Sequence, residues 1–535
     1  MRYTLFCWSL ILMLSGLPTV SVAADVDADT IEQVEQDGVL RFEITEYALE
    51  DATLLGQSEI DAAVAPYIGK NKDFADVQGA LEAIEELYVS KGYSAVRVLM
   101  PEQELEKGKI RFRVVESRFG KVEVKDNRYV SEANVLNALP SVRNGGVPRA
   151  RQLARELKLA NDNPARQLNV ILKAAEKDDE VDARVVVTDS PPSSWGVSVD
   201  NTGSSETGPT RLGISYQHAN LFDMDHVLTA QYTTSPQHPQ RVKVVGVGYK
   251  VPLYQFGDSL EYFLGYSNVN ALLDSFTNFQ GGGLLFSAKY NYLMERYGRF
   301  DPRVSFAIDR RHFRDIEVVN STGATSVYNE IVVLPVSVTF SAQGKFDKSD
   351  VNLNLSFAKN MPGIDKGDQP DFRTYDAFGK EKPDAHYHVI RYGASYALSI
   401  GDTGGQFRAA LNGQWSGDQL IQGEQIRLGG ADGIRGFSEG SEGGEIGAKL
   451  NLEAYSPDFG RGDIGVRAVV FYDRGYANPF FGVSETIASV GVGLRANYAE
   501  KYSMRLDGAQ IKDQGKDATQ LVGHWRWHAS LNASF

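Results

Sequence analysis

The sequence HWRWHASLNASF, residues 524–535, ends the chain and alternates in polarity from one residue to the next. Side chains of an extended strand point alternately to its two faces, so one face is apolar and the other polar. The polar face carries His524, Arg526, His528, Ser530, Asn532 and Ser534. A soluble sheet would cover the apolar face with a second layer, whereas a membrane barrel would turn it toward lipid.

Similar alternation recurs from Trp195 onward, between polar or glycine-rich loops. At roughly 9 to 11 residues per spanning strand plus turns, residues 191–535 predict a transmembrane antiparallel β-barrel of about 16 strands. Closure removes the sheet edges, which favours the barrel over the alternative of a soluble β-sandwich. Phe535 is predicted to be an assembly signal, because outer-membrane barrels commonly end in an aromatic residue. The polar residues 360–385 are predicted to form an outer loop.

The start of the chain predicts export. Residues 1–24 combine a basic start, an apolar core and small residues, as in a signal peptide, and residues 25–38 form a short acidic leader. Cys7 is the only cysteine and lies inside the signal, so we expect no disulfide in the mature protein. No later run of about 18 apolar residues predicts a spanning helix.

Several classes of function are not supported. A net charge of −14 and a pI near 5.2 leave no basic stripe for nucleic acid. Nucleotide-binding and hydrolase motifs are missing, so neither a cofactor nor an enzyme is predicted. His386 and His388 would share one face of a strand, but without a third ligand we expect no metal site. His524 and His528 are interpreted as polar lumen residues.

Two small α/β domains are predicted before the barrel, at residues 39–117 and 118–190. The first has strands at 40–44, 94–99 and 109–115 around one helix. Apolar residues recur at helical spacing on that helix, at Val77, Ala80, Leu81, Ile84, Leu87 and Tyr88. The second repeats a similar order of elements, with helices at 133–139 and 149–160 and strands at 121–125, 168–174 and 181–188. Pro191 and Pro192 mark the boundary to the barrel.

The segment from Leu81 to Glu116 resembles a polypeptide-transport-associated (POTRA) domain. The residues that carry the resemblance are Gly92 and Tyr93 in a turn and Pro101 and Gln103 in a connection. It implies two periplasmic POTRA domains that bind unfolded chains at a sheet edge. The alternative is an ordinary α/β domain without a client.

A glycine-rich stretch, IRLGGADGIRGFSEG at residues 426–440, carries one permanent charge, Arg435. An enclosed guanidinium needs an acid, and Asp473 in VVFYDRG, residues 469–475, is the predicted partner. Arg474 is nearer to Asp473 in sequence, but successive strand residues face opposite sides, so it should point away from the lumen.

Both stretches resemble signatures of two-partner secretion transporters, the haemolysin secretion/activation type. The loop signature corresponds to Gly429, Gly430, Ile434, Arg435, Gly436 and Phe437, and the strand signature to Phe471, Asp473 and Gly475. The resemblance implies that residues 419–448, the motif loop, fold into the lumen so that Arg435 pairs with Asp473. The pair would then act in transport, or only make the barrel rigid.

The resemblance implies an outer-membrane transporter that recognises an unfolded partner exoprotein through its POTRA domains and passes it through the barrel. Expected partners are this TpsA-type exoprotein, outer-membrane lipids and the barrel-assembly machinery, with the transporter itself a monomer. A barrel-assembly factor of the same superfamily and a passive porin or receptor remain alternatives. Residues before Val39 are too few for the family's plug helix and linker, so we expect a pore closed by the motif loop.

Overall fold

The structure is a computed structural model that describes residues 41–103, 108–204, 207–274, 279–319, 325–377, 379–401, 403–480, 482–516 and 520–535. The predictions for the signal peptide, for the acidic leader and for a plug helix before Val39 concern residues outside these ranges. Within them, no helix is both long enough and apolar enough to span a membrane.

The first α/β unit has a three-stranded sheet packed against two helices. Its central strand, Lys109–Glu116, pairs in parallel with Glu46–Glu50 and antiparallel with Val96–Leu99. The helices are Gln57–Val64 and Phe74–Ser90, and Phe42–Ile44 pairs separately with Gly69–Lys72. The long helix buries the predicted face at Val77, Ala80, Ile84 and Tyr88. The sequence pattern does not predict the strand Glu46–Glu50 or the helix Gln57–Val64.

The second unit has the same topology. Strands Arg118–Lys125, Arg166–Ala174 and Glu180–Asp189 form a sheet with Glu180–Asp189 at its centre, and the first strand is parallel to it. Helices Glu132–Asn137 and Ala150–Ala160 lie between the first two strands in the chain. Both units therefore follow the order strand, helix, helix, strand, strand, in agreement with the predicted repeat.

Sixteen antiparallel strands form a closed barrel after these units. They are β1 (Ser193–Asp200), β2 (Arg211–Leu221), β3 (His226–Thr234), β4 (Lys243–Leu253), β5 (Asp258–Asp274), β6 (Phe279–Leu293), β7 (Phe300–Phe313), β8 (Pro335–Lys345), β9 (Ser349–Asn360), β10 (His388–Ile400), β11 (Gly405–Trp415), β12 (Ile446–Tyr455), β13 (Ile464–Asn478), β14 (Glu485–Tyr498), β15 (Tyr502–Gln514) and β16 (Trp525–Ser534). The short strand Ile331–Val333 pairs with β7 just before β8 does. β16 pairs with β1 and closes the barrel, which confirms the predicted fold class and strand number.

Alternation along each strand separates the lumen from the outer surface. On β16, Trp525, Trp527 and Leu531 are exposed on the outside, whereas His528 is buried inside. His524 precedes the strand and is exposed, so only His528 of the two is placed in the lumen. The odd-numbered strands run away from the α/β units, and we call the end near those units proximal and the other end distal.

The distal loop at 361–387 is more structured than a polar outer loop. It contains the short helix Gln369–Arg373, and Phe372 and Tyr375 are buried in an apolar cluster with Leu420 and Ile421 of the motif loop. These aromatic contacts could not be predicted from the sequence, because residues 360–385 are mostly polar.

The second α/β unit is docked on the proximal turns of the barrel. Arg166 forms a buried ion pair with Asp225, with 2.7 Å between Nη2 and Oδ2, and the Tyr254 hydroxyl donates to the same oxygen at 2.5 Å. Arg155 pairs with Asp258 at 2.8 Å. Tyr254 and Leu293 of the barrel also belong to the apolar core of this unit. The proximal turns thus complete the core of the second unit.

Candidate functional site

The motif loop spans residues 416–445, between β11 and β12, and folds back into the lumen. The sequence analysis placed it at about 419–448, but β11 ends at Trp415 and β12 begins at Ile446. A 3-10 turn at Gln422–Glu424 and a strand pair between Ile426–Arg427 and Gly443–Gly444 lie within it. Its tip contains the motif residues and touches the inner faces of β12 to β16.

Arg435 at this tip makes a bidentate contact with Asp473 on β13. Its Nε lies 2.7 Å from Oδ2 and its Nη2 2.8 Å from Oδ1, while its backbone N–H also donates to Oδ2 at 3.1 Å. Asn451 on β12 donates to Asp473 Oδ1 and to the carbonyl of Gly433. The two charged side chains are almost completely buried, at 2 % and 0 % exposure. The structure thus brings the predicted pair together in one defined geometry.

Two further acids share Arg435, and the sequence analysis missed both. Nη1 lies 2.7 Å from Oε1 of Glu453 on β12 and 3.6 Å from Oδ2 of Asp507 on β15. Asp507 is also paired with Arg495 and Arg505. Three arginines therefore balance three carboxylates, which makes burial of the group possible without an uncompensated charge. Glu453 and Asp507 lie on the lumen-facing sides of their strands, and the register of the barrel brings both to Arg435.

The strand signature also shapes the space around the guanidinium. Arg435 stacks on the ring of Phe471, with 3.5 Å between its Cζ and the ring centroid. A Cβ added at Gly475 would lie 2.9 Å from Cγ1 of Ile434 and 3.2 Å from Cδ1 of Leu428. Gly475 therefore gives the loop tip room to approach β13, and Phe471 supplies a cation–π contact.

The other motif residues build the tip itself. Ile434 and Phe437 are fully buried in a small apolar cluster with Leu428, Ala477, Ile487 and Ile511. Gly429 and Gly430 lie in the turn that precedes them, where the Gly430 N–H donates to the Ile434 carbonyl at 3.3 Å. Gly436 has φ +96, a conformation that favours glycine, and its N–H donates to Nε2 of His528 on β16 at 3.1 Å. The resemblance did not assign a role to His528.

A second cluster anchors the beginning of the motif loop on a different part of the wall. Glu424 is 2 % exposed and pairs with Arg311 on β7 at 2.7 Å and with Arg391 on β10 at 2.9 Å. Gln414 on β11 donates to the Glu424 carbonyl at 2.9 Å, and Asp309 pairs with Arg311. The loop thus crosses the lumen between two charged anchors. Nothing in the local sequence around Glu424 distinguishes it from an exposed loop acid.

The lumen retains free space beside the loop. A cavity of about 1110 Å³ is lined by residues of β1 to β11, by Ser534 of β16 and by Asp162 of the second α/β unit. Small hydroxyl residues form much of its wall, among them Ser215, Thr229, Ser337, Thr339 and Ser356. The open part of the lumen is therefore polar and lies away from the Arg435 anchor.

The predicted POTRA residues occupy two places. Gly92 and Tyr93 lie where the two α/β units meet, since the Gly92 carbonyl accepts from the Ala150 N–H at 2.9 Å and Tyr93 forms a bridge with Arg149. Gln103, two residues after Pro101, exchanges two hydrogen bonds with the backbone of Arg111, at 2.7 and 2.8 Å. Its amide thereby continues the pairing with the central strand beyond Leu99, where strand Val96–Leu99 ends.

The remaining residues singled out in the sequence are Phe535, His386 and His388. The backbone of Phe535 exchanges hydrogen bonds with that of Trp195 at the proximal end of the β16–β1 seam. His388 begins β10 and pairs with Asp418, but His386 lies before the strand and contacts Asp384, so the expected shared strand face is wrong. Among the described residues no three His, Cys, Asp or Glu side chains are grouped so as to hold a metal ion.

Comparison with known proteins agrees with this architecture. The chain is 21% identical over 511 residues to the haem/haemopexin transporter protein HuxB of Haemophilus influenzae (strain 86-028NP), covering 91% of this chain and 86% of that one. It is 23% identical over 439 residues to the outer membrane transporter CdiB of Dickeya dadantii, covering 77% and 73%. The solved CdiB structures from Escherichia coli and Acinetobacter baumannii share the fold, with TM-scores of 0.75 and 0.69 and identities of 17% and 14%. They cover 95% and 94% of this chain, and it covers 93% and 91% of theirs.

Two family models also match. Residues 42–117 match the ShlB-type POTRA domain, and residues 179–496 match the haemolysin secretion/activation protein ShlB/FhaC/HecB. The barrel therefore spans the outer membrane, and the proximal α/β domains lie in the periplasm. Since the second match covers more than half of the 535 residues, the chain belongs to the ShlB/FhaC/HecB haemolysin secretion/activation family of two-partner secretion transporters.

Proposed function

We propose that this protein captures a large unfolded exoprotein in the periplasm and passes it through the barrel lumen to the cell surface. The family implies a TpsA-type exoprotein as the partner. In the proposal, the units at 39–117 and 118–190 act as two POTRA domains that bind the secretion signal at a sheet edge or groove. Folding of the exoprotein outside the cell prevents its return and supplies the driving force.

The observation that carries this proposal is the buried contact between Arg435 and Asp473. It holds the tip of a long loop against one part of the inner wall, while the rest of the lumen keeps a cavity of about 1110 Å³. A bidentate ion pair defines geometry strongly, but a buried pair adds little net stability, because the desolvation of both charges offsets their attraction. Such a contact is suited to a loop that occupies one position at rest and leaves it when a chain passes.

Several partners belong to the same proposal. The barrel-assembly machinery would recognise Phe535, whose side chain is exposed at the seam. Outer-membrane lipids would surround the apolar outer face, and the transporter would act as a monomer.

The test is a secretion assay with the partner exoprotein, comparing wild type, Arg435→Ala, Asp473→Ala and the double variant at matched barrel levels. Removing one partner of a buried pair costs about 3–5 kcal/mol, because the other charge is left unpaired. We expect extracellular exoprotein to fall strongly in both single variants, and the double variant to secrete no less than either one.

Arg310→Ala is the matched control, since Arg310 faces outward and pairs with the exposed Asp365. This control should secrete at the wild-type level. Full secretion from Arg435→Ala, Asp473→Ala and the double variant would show that the pair only makes the barrel rigid. No secretion from wild type would favour a barrel-assembly role.

A further inference from the structure

Arg474 is placed on the outer surface of the barrel, one residue after the lumenal Asp473. It is exposed, and its outward neighbours along β13 are Tyr472 and Tyr476. Among the described residues it has no acid within ion-pair distance. A guanidinium on the lipid-facing surface costs about 2–4 kcal/mol at the bilayer midplane and much less near the interface. Arg474 is therefore expected to lie near the membrane–water interface, to contact an anion, or both.

A second cation lies two strands away on the same face. Arg474 is opposite Ala488 on β14, and Ala488 is opposite Asp513 on β15, where a bulge places Lys512 beside it. Lys512 is exposed and donates to the outward-facing Gln510 at 2.6 Å. Neighbouring strands are about 4.8 Å apart, so two long side chains on either side of the small Ala488 can reach one tetrahedral anion.

Outward-facing cations of the described strands lie toward the distal end of the barrel. Each lies within four residues of the distal, extracellular end of its strand; they are Lys243, Arg310, Lys359, Arg474 and Lys512. Outward positions at the periplasmic end carry residues such as Trp195, Leu253 and Tyr502 instead. The outward-facing cations therefore lie on the side of the outer leaflet.

We propose that Arg474 and Lys512 bind a phosphate group of an outer-leaflet glycolipid. Arginine matches phosphate with two parallel hydrogen bonds, and lysine adds a point charge. Tyr472, Trp525 and Val490 on the same outer face provide apolar surface for the acyl chains. A lipid phosphate offers both the charge and the chains, whereas an acidic protein segment would not use the apolar part.

Asp513 is an acid that faces outward beside Lys512, in the same cross-strand row as Arg474 and Ala488. Its carboxylate accepts the N–H of Gly515 at 3.3 Å and forms no ion pair with Arg474 or Lys512. It lowers the net positive charge of the site, so its removal should strengthen phosphate binding. Asp513→Asn is therefore expected to raise the affinity for the phosphate group.

The experiment measures binding of bis-phosphorylated lipid A to the full-length protein in phosphatidylethanolamine nanodiscs. Each basic residue near a membrane surface contributes about 1 kcal/mol toward anionic lipid, so Arg474→Gln with Lys512→Gln should weaken binding about 30-fold. Asp513→Asn should bind more tightly, and Arg474→Lys should retain most of the binding.

Arg310→Gln, which changes a cation already paired with Asp365, is the matched control and should bind like wild type. Equal lipid affinity of the wild type and the double glutamine variant would overturn the proposal. Inorganic phosphate that competes fully with lipid A at millimolar concentration would also overturn it, since the site would then bind free phosphate rather than the lipid.

Discussion

Gly475 shows how one missing side chain positions the motif loop. A methyl group there would press against Ile434 at 2.9 Å and Leu428 at 3.2 Å. Overpacking of this kind costs typically about 1–3 kcal/mol. We expect Gly475→Ala to displace the loop tip and to increase hydrogen exchange at the amides of 433–437, while the barrel stays folded.

Gly282→Ala is the control for this change. An added Cβ at Gly282 meets its nearest atoms only at ordinary contact distances of 3.7 to 3.9 Å. Exchange at the loop tip should then be unchanged. If Gly475→Ala also leaves exchange at the tip unchanged, close approach to β13 does not require the glycine.

At the level of elements, the motif loop is a bridge with one charged anchor on each side of the lumen. Glu424 lies between Arg311 and Arg391, and Arg435 lies against β12, β13 and β15. Glu424→Gln keeps the shape but removes the charge, which should destabilise this anchor by about 3 kcal/mol, since Arg311 keeps Asp309.

The loss of a motif-loop anchor can be measured as a change in single-channel conductance in planar bilayers. We expect Glu424→Gln and Arg435→Gln each to raise the mean conductance, and the double variant to exceed both. Glu330→Gln, in a partly exposed distal ion pair, should leave conductance at the wild-type value. If Glu424→Gln behaves like this control, the Arg435 contact alone holds the loop.

For the whole molecule, the docking of the second α/β unit on the barrel rests on a buried ion pair. Arg166 and Asp225 are each 1% exposed. Asp225→Asn would leave Arg166 uncompensated, at a cost of about 3–5 kcal/mol. We expect the unit to separate from the proximal turns, detected as a broadened distance distribution between spin labels on the unit and on the barrel.

Asp347→Asn in another proximal turn is the matched control. Asp347 is 89% exposed and pairs with Arg299, so its loss should leave the distance distribution unchanged. A narrow distribution in Asp225→Asn would show that the shared apolar core around Tyr254 and Leu293 suffices for docking.

The order of residues alone predicts the barrel and, within its strands, the side of the wall that a residue faces. A strand has a period of two, so Asp473 inside and Arg474 outside follow from order alone. The sequence also predicts Asp473 as the partner of Arg435, and the resemblance to the transporter family implies the same pair. The contacts of Glu453 and Asp507 with this pair, and of Glu424 with Arg311 and Arg391, depend on the folded structure, because register and closure of the barrel bring together residues far apart in the chain.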